Sequence, residues 1–143
     1  MSNLSISEIM MKHHYNIDKI LGKFTKELKE KSKVNMSTFN KFKWELEKHF
    51  FLEEKAIFQL HYSNNKQTNK ITTRLKSEHD KMIEELEKLE ANIKLGKSFD
   101  FTDLRKMIID HKNYENREFY PLLDDELENE RRDLIIQRLS NAF

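Results

Sequence analysis

Apolar residues recur at steps of three and four along four long stretches of the chain, the spacing of one buried face on an α-helix and not the alternation of a strand. The first stretch carries Met10, Ile17, Leu21, Phe24 and Leu28. Ser5, with Glu8 three residues later, forms a capping box at its start, and the pattern predicts a helix to about Lys31. After the polar KSKVNMS, Ser37 or Thr38 is placed to cap a second helix bearing Phe39, Phe42, Leu46, Ile57 and Leu60, which fades near Tyr62. The third presents Ile71, Leu75, Met82, Leu86, Leu89 and Ile93, with Gly96 as its C-terminal stop. Thr102 or Asp103 opens a fourth, with Leu104, Met107, Ile108 and Phe119, and Pro121, lacking an N–H donor, should end or kink it. A short fifth helix is expected from about Glu126 to Leu139. The whole reads as all-α: an up-down-up-down four-helix bundle with a short C-terminal fifth helix.

Composition narrows the function classes. At 143 residues the chain is expected to form a single domain, 1–143, with a real hydrophobic core. Two Gly, one Pro and 36% charged residues suit a helical bundle. The net charge is +1 with signs interleaved, which argues against a nucleic-acid or membrane surface. Cysteine is absent, which removes disulfides, thiol catalysis and thiolate metal sites, so any metal must use His and carboxylate. The N-terminus shows no leader, and no apolar run approaches the roughly 20 residues that span a bilayer, so a cytoplasmic location is expected.

Of the six histidines, four fall on core-facing rows. His14 is four after Met10 and three before Ile17. His49 follows Leu46 by three, with Glu53 four further and Ile57 four beyond that. His79 sits between Leu75 and Met82, and His111 follows Met107 by four, with Glu115 and then Phe119 at further steps of four. An isolated His-x-x-x-Glu is weak evidence, but six ionisable groups in core phase need something to satisfy them.

The phrase itself is repeated: HFFLEEKAIFQL from His49 and HKNYENREFYPL from His111 share His, Glu four on, and Leu at the last position. His49 lies 35 residues after His14, and His111 lies 32 after His79. Each predicted hairpin therefore supplies His from its first helix and His-x-x-x-Glu from its second. Two such hairpins about a pseudo-twofold axis bring imidazoles and carboxylates to the centre as a dinuclear metal site; imidazole and carboxylate without sulfur suit iron, manganese or zinc, and bridging carboxylates with mixed N/O donors favour two irons. His13, about 100° round the helix from His14, and His61 read as surface or helix-end residues and not as ligands. Asp18, four after His14, is a candidate further acid. Phe50 and Tyr114 adjoin the candidate donors, whereas Trp44 has no functional case.

The segments KHHYNIDKILGKF, HFFLEEKAIFQL, SEHDKMIEELEKL and HKNYENREFYPLL resemble, in order, those of the hemerythrin-like, or HHE cation-binding, family. The resemblance implies that His14, His49, Glu53, His79, His111 and Glu115 are ligands, with both glutamates bridging two non-haem irons that also share an oxo or hydroxo bridge. Oxygen-carrying hemerythrins add a His-x-x-x-His pair on the third helix, where this chain has Leu75 and Ile83 four residues either side of His79. They also end on His-x-x-x-x-Asp, where this chain has His111 and Glu115. Both departures argue against reversible oxygen carriage. The set is more similar to the di-iron domain of bacterial iron-centre repair proteins, which carry an additional cysteine-bearing N-terminal domain.

The expected function is binding of a small diatomic ligand, oxygen or nitric oxide, in sensing, stress defence or iron handling. The rival readings are a di-iron enzyme reducing peroxide or nitric oxide, a reversible oxygen carrier, and a metal-free helical interaction module.

Overall fold

In a computed structural model the protein is described over residues 5–30, 36–59 and 66–142, and these residues are helical throughout apart from short connections. The helices are α1 (Ile6–Glu30), α2 (Met36–Leu52), α3 (Lys66–Lys94), α4 (Thr102–Tyr114), α5 (Tyr120–Glu126) and α6 (Asn129–Ala142). Two wider π-helical segments join them without a break, Glu53–Phe58 after α2 and Glu115–Phe119 between α4 and α5. The described residues therefore make five helical segments. The expected end at Lys31, Leu60, His61 and the fade near Tyr62 lie outside the described residues.

The ends reflect local chemistry, with some corrections. Ser5 Oγ accepts the Glu8 amide at 3.0 Å, as the capping box requires, and the Asp124 carboxylate takes the Ile6 and Ser7 amides at 2.8 and 3.0 Å, tying α5 to the start of α1. Ser37 and Thr38 do not cap α2, because the helix already includes Met36; the Thr38 hydroxyl instead donates to Glu27 of α1. Gly96 adopts a left-handed φ of 67° just past α3, and the Lys97 amide reaches back to the Asn92 carbonyl. Thr102 begins α4, but the cap comes from Asp100, whose carboxylate accepts the Thr102 amide at 2.8 Å.

Pro121 neither ends nor sharply interrupts the chain. It sits in the first turn of α5, where its missing N–H costs no regular hydrogen bond. The break falls later, where extended Leu127 separates α5 from α6, so the expected fifth helix starts at Asn129 and not near Glu126.

Two apolar clusters fill the interior. One gathers Ile17, Phe24, Phe42, Leu46, Met82 and Ile108 with their neighbours, and the other Met10, Ile57, Leu75, Phe119, Leu123 and Leu139 with theirs. Each fully buried large side chain contributes about 1.5–3 kcal/mol of hydrophobic stabilisation. Every one of the four longest segments crosses from one cluster to the other through buried polar residues: His13 and His14 on α1, His49 and Glu53 at the end of α2, His79 on α3, His111 and Glu115 at the end of α4. The result is a polar layer between two greasy ones. No described helix is long and apolar enough to cross a membrane.

Candidate metal centre

All six residues that helical phase turned inward meet in that layer. Their donor atoms form two overlapping groups, His14, His49, Glu53 and Glu115 on one side and Glu53, His79, His111 and Glu115 on the other, each compact enough to surround one cation. Both glutamates are shared. Glu53 Oε1 lies 3.1 Å from His79 Nε2 and Oε2 lies 3.6 Å from His49 Nε2, so one carboxylate faces both histidine pairs. Glu115 Oε1 lies 3.3 Å from both His14 Nε2 and His111 Nε2.

The donor set fits cations and poorly fits anything else. Both glutamates are fully buried, yet Glu53 Oε1 and both Glu115 oxygens make no hydrogen bond of acceptable geometry among the described residues. Leaving such charges bare in a core costs several kcal/mol each. The imidazoles point the same way. His14 and His49 bring their Nε2 atoms to 3.1 Å, and so do His79 and His111. Behind them, Glu54 accepts from His79 Nδ1 at 3.0 Å and Glu78 from His111 Nδ1 at 2.7 Å. A carboxylate can only accept, so both Nδ1 atoms carry hydrogen, and in the neutral rings two Nε2 lone pairs face each other. Two donors about 2.1 Å from one cation and at right angles lie about 3 Å apart, the separation seen here.

The side chains alone relieve this conflict by holding protons. Burial disfavours a charged His111 ring, but Glu115 and Glu78 outweigh it and raise its pKa to about 10. Burial likewise works against the Glu115 carboxylate, and the charge on His111 overrides it, holding that carboxyl well below the usual range. Glu78, hydrogen-bonded to His111, falls to about 2. His49 is pushed well below its ordinary value by burial and then by neighbouring His14.

Five residues complete the shell that the sequence pattern did not single out as inward. His13 is the correction: it is buried and not on the surface, with Nδ1 2.7 Å from His49 Nδ1, and burial lowers its pKa to about 4. The signal was present, since His13 is three after Met10 and four before Ile17, as much in phase as His14. Asn116 Oδ1 takes His14 Nδ1 at 2.9 Å. Glu54 and Glu78 obey no periodicity, because each serves a histidine on another helix. Tyr120 is fully buried, donates its hydroxyl to Glu53 Oε2 and lies 3.4 Å from His14 Nε2; burial, then Glu115 and Glu53, raise its pKa well above the ordinary value.

Tyr120 escapes a count in steps of 3.6 because Glu115–Phe119 is π-helical: the Tyr120 amide bonds back five residues to Glu115, which turns two consecutive aromatics, Phe119 and Tyr120, into the core. The same widening occurs after Glu53, where the Gln59 amide reaches Glu54. The repeated phrase therefore encodes a repeated π segment as well as a repeated His-x-x-x-Glu. Asp18 stays outside the centre, its carboxylate held by Lys112 at 2.7 and 2.8 Å. Phe50 stacks on His79 with ring centres 4.2 Å apart, whereas Tyr114 lies under the Arg74 guanidinium.

Buried imidazoles and carboxylates around two overlapping positions in a helical core define a helical cation-binding protein. A family profile described as the hemerythrin HHE cation-binding domain matches residues 5–123, and the chain belongs to that family. Comparison with curated proteins finds no match, and comparison with solved structures finds none.

Proposed function

We propose that this chain is a non-haem di-iron protein that binds a small diatomic ligand, oxygen or nitric oxide, in sensing, stress defence or iron handling. In this reading His14 and His49 hold one iron, His79 and His111 the other, and Glu53 and Glu115 bridge the two. The observation that carries it is the sharing of both buried carboxylates between two pairs of opposed Nε2 atoms. Bound iron would supply exchangeable electrons and open coordination positions. The residues do the rest: Glu54, Glu78, Asn116 and His13 fix the ring orientations, and the apolar clusters on either side exclude bulk water.

A cavity beside the centre supports a very small ligand. Only about 10 Å³ is open to the centre of a water-sized sphere, between His14, His49, His111 and Glu115 and walls that include Ile17, Leu46, Phe50 and Met82. That is room for about one water molecule, too little for an organic substrate. An up-down-up-down run of the four longest segments, supported by their alternating passage between the two apolar clusters, and a cytoplasmic location belong to the same reading.

The deciding experiment is elemental analysis with the optical spectrum of protein purified without added metal. Two irons per chain and the spectrum of an oxygen-bridged ferric pair are expected. About one iron per chain in fully loaded protein, or none, would sink the proposal. Steady consumption of ligand beyond one equivalent per site, with an electron donor supplied, would shift the function to the enzyme reading.

A further inference from the structure

The two cation positions have unequal surroundings. Behind His79 and His111 stand carboxylates, Glu54 at 3.0 Å and Glu78 at 2.7 Å from the respective Nδ1 atoms. Behind His14 and His49 stand neutral groups, the Asn116 amide oxygen at 2.9 Å and the His13 ring at 2.7 Å. Shared Glu53 is lopsided as well. Its Oε2, on the His14/His49 side, already accepts the Tyr120 hydroxyl, whereas Oε1, 3.1 Å from His79 Nε2, accepts no hydrogen bond among the described residues. In the repeated phrase Tyr120 occupies the tenth place, and its counterpart is Phe58, which stacks on His79 with ring centres 5.6 Å apart and has no hydroxyl to offer.

These differences act in one direction. An imidazole that donates its outer N–H to a carboxylate is a more basic metal ligand than one that donates to a neutral group. A carboxylate oxygen that accepts a hydrogen bond has part of its charge already engaged and is a weaker donor to a cation. Lys76 pairs with Glu54 at 3.0 Å and Arg74 with Glu78 at 2.9 Å, and both offset the effect in part. Their side chains are more than half exposed, at 51% and 55%, so water screens them, while the bonds from Glu54 and Glu78 to the buried imidazoles remain.

We infer that the two positions differ in affinity: the His79/His111 position, backed by Glu54 and Glu78, fills first and holds its cation more tightly, and the His14/His49 position, where Tyr120 draws on Glu53, is the one that exchanges. This rests on the two-position reading of the centre and says which half of it is labile. Glu54, Glu78 and Tyr120 act through ligands and are positioning residues.

Isothermal titration calorimetry of the chelator-stripped full chain with zinc tests the inference without reliance on iron chemistry. Two equivalents are expected. His49→Ala leaves the His79/His111 pair and should retain a binding step at least about tenfold tighter than the one left by His111→Ala. Because those variants remove ligands and risk misfolding, Glu54→Gln and Glu78→Gln carry the test in an intact ligand set: each should weaken the first step by about 10–100-fold with the second little changed. Tyr120→Phe should tighten the second step. Equal affinities in the two histidine variants, or a weakening by Glu54→Gln that falls on the second step, would overturn the inference. Uptake of one equivalent or none by the unmodified chain would instead overturn the two-position reading, and this inference with it.

Discussion

Replacing His13 with Phe isolates the role of a residue that packing places against His49. The Phe ring keeps the volume that lies against His49, where the two imidazole centres are 4.9 Å apart, and deletes the nitrogen at 2.7 Å from His49 Nδ1. His49 is buried, so its Nδ1 loses its hydrogen-bond partner and gains no water. A buried polar group left without a hydrogen-bond partner costs about 1–3 kcal/mol. For a chain of this size each kcal/mol moves the melting temperature by about 3–5 °C, so a drop of about 3–15 °C is expected in metal-free protein near neutral pH.

The pH dependence gives a sharper reading. Burial lowers the His13 pKa from 6.5 to about 4, so between those values the unfolded chain takes up a proton that the folded chain refuses. The stability contributed by neutral His13 is therefore complete above pH 6.5 and is lost as pH falls towards 4. The variant lacks this slope, and its deficit should shrink as the buffer is taken through that window. Thermal unfolding monitored by circular dichroism at closely spaced pH values measures both effects, with Trp44→Ala, at a side chain 59% exposed, as a control expected to move by no more than about 0.5 kcal/mol. If His13→Phe melts with the parent at neutral pH and the deficit does not change with pH, the placement of His13 as the partner of His49 is wrong.

Three further outcomes are expected of the same structure. Chelation should lower the melting temperature of metal-loaded protein, since a ligand at about 100 to 1,000 times its dissociation constant stabilises by about 2.7–4.1 kcal/mol; identical melting with and without chelator would refute a metal-filled core. Glu53→Ala and Glu115→Ala should each lose iron by elemental analysis, because each removes a carboxylate common to both donor groups, while His61→Ala should not; retention in Glu115→Ala with loss in His61→Ala would overturn the ligand assignment. In the proposed di-iron reading, two octahedral irons would offer about twelve positions, of which four histidines, two bridging glutamates and one oxygen bridge would fill about ten. The reduced protein should therefore bind nitric oxide readily and be oxidised by oxygen without recovering its reduced spectrum under vacuum. Stopped-flow absorption checks this, and Leu75→His, one turn before His79, should slow the oxidation; a spectrum restored by vacuum in the unmodified protein would mark an oxygen carrier.

Helical periodicity alone was enough to place His14, His49, Glu53, His79, His111 and Glu115 on inward faces, because a side chain's phase on a helix is a local property set by spacing to Met10, Leu46, Leu75 and Met107. The same holds for the capping box at Ser5 and the stop at Gly96, where the residues concerned are neighbours in the chain. Local phase fails where the helix itself changes. The π segment after Glu115 rotates the residues beyond it, so Tyr120 reaches Glu53 although regular spacing would turn it away. It also fails where burial depends on how many neighbours a helix has. α1 packs against α2, α5 and α6 and encloses both His13 and His14; each is in phase with Met10 and Ile17, but phase alone does not say that two adjacent histidines are buried together. The outer partners lie beyond any local rule: Glu54 meets His79, Glu78 meets His111 and Asn116 meets His14 across 25, 33 and 102 residues of chain. Sequence thus determined which donors face the core, while the tertiary structure decided what stands behind each of them, because hydrogen bonds between helices depend on relative rotation and height that no single helix encodes.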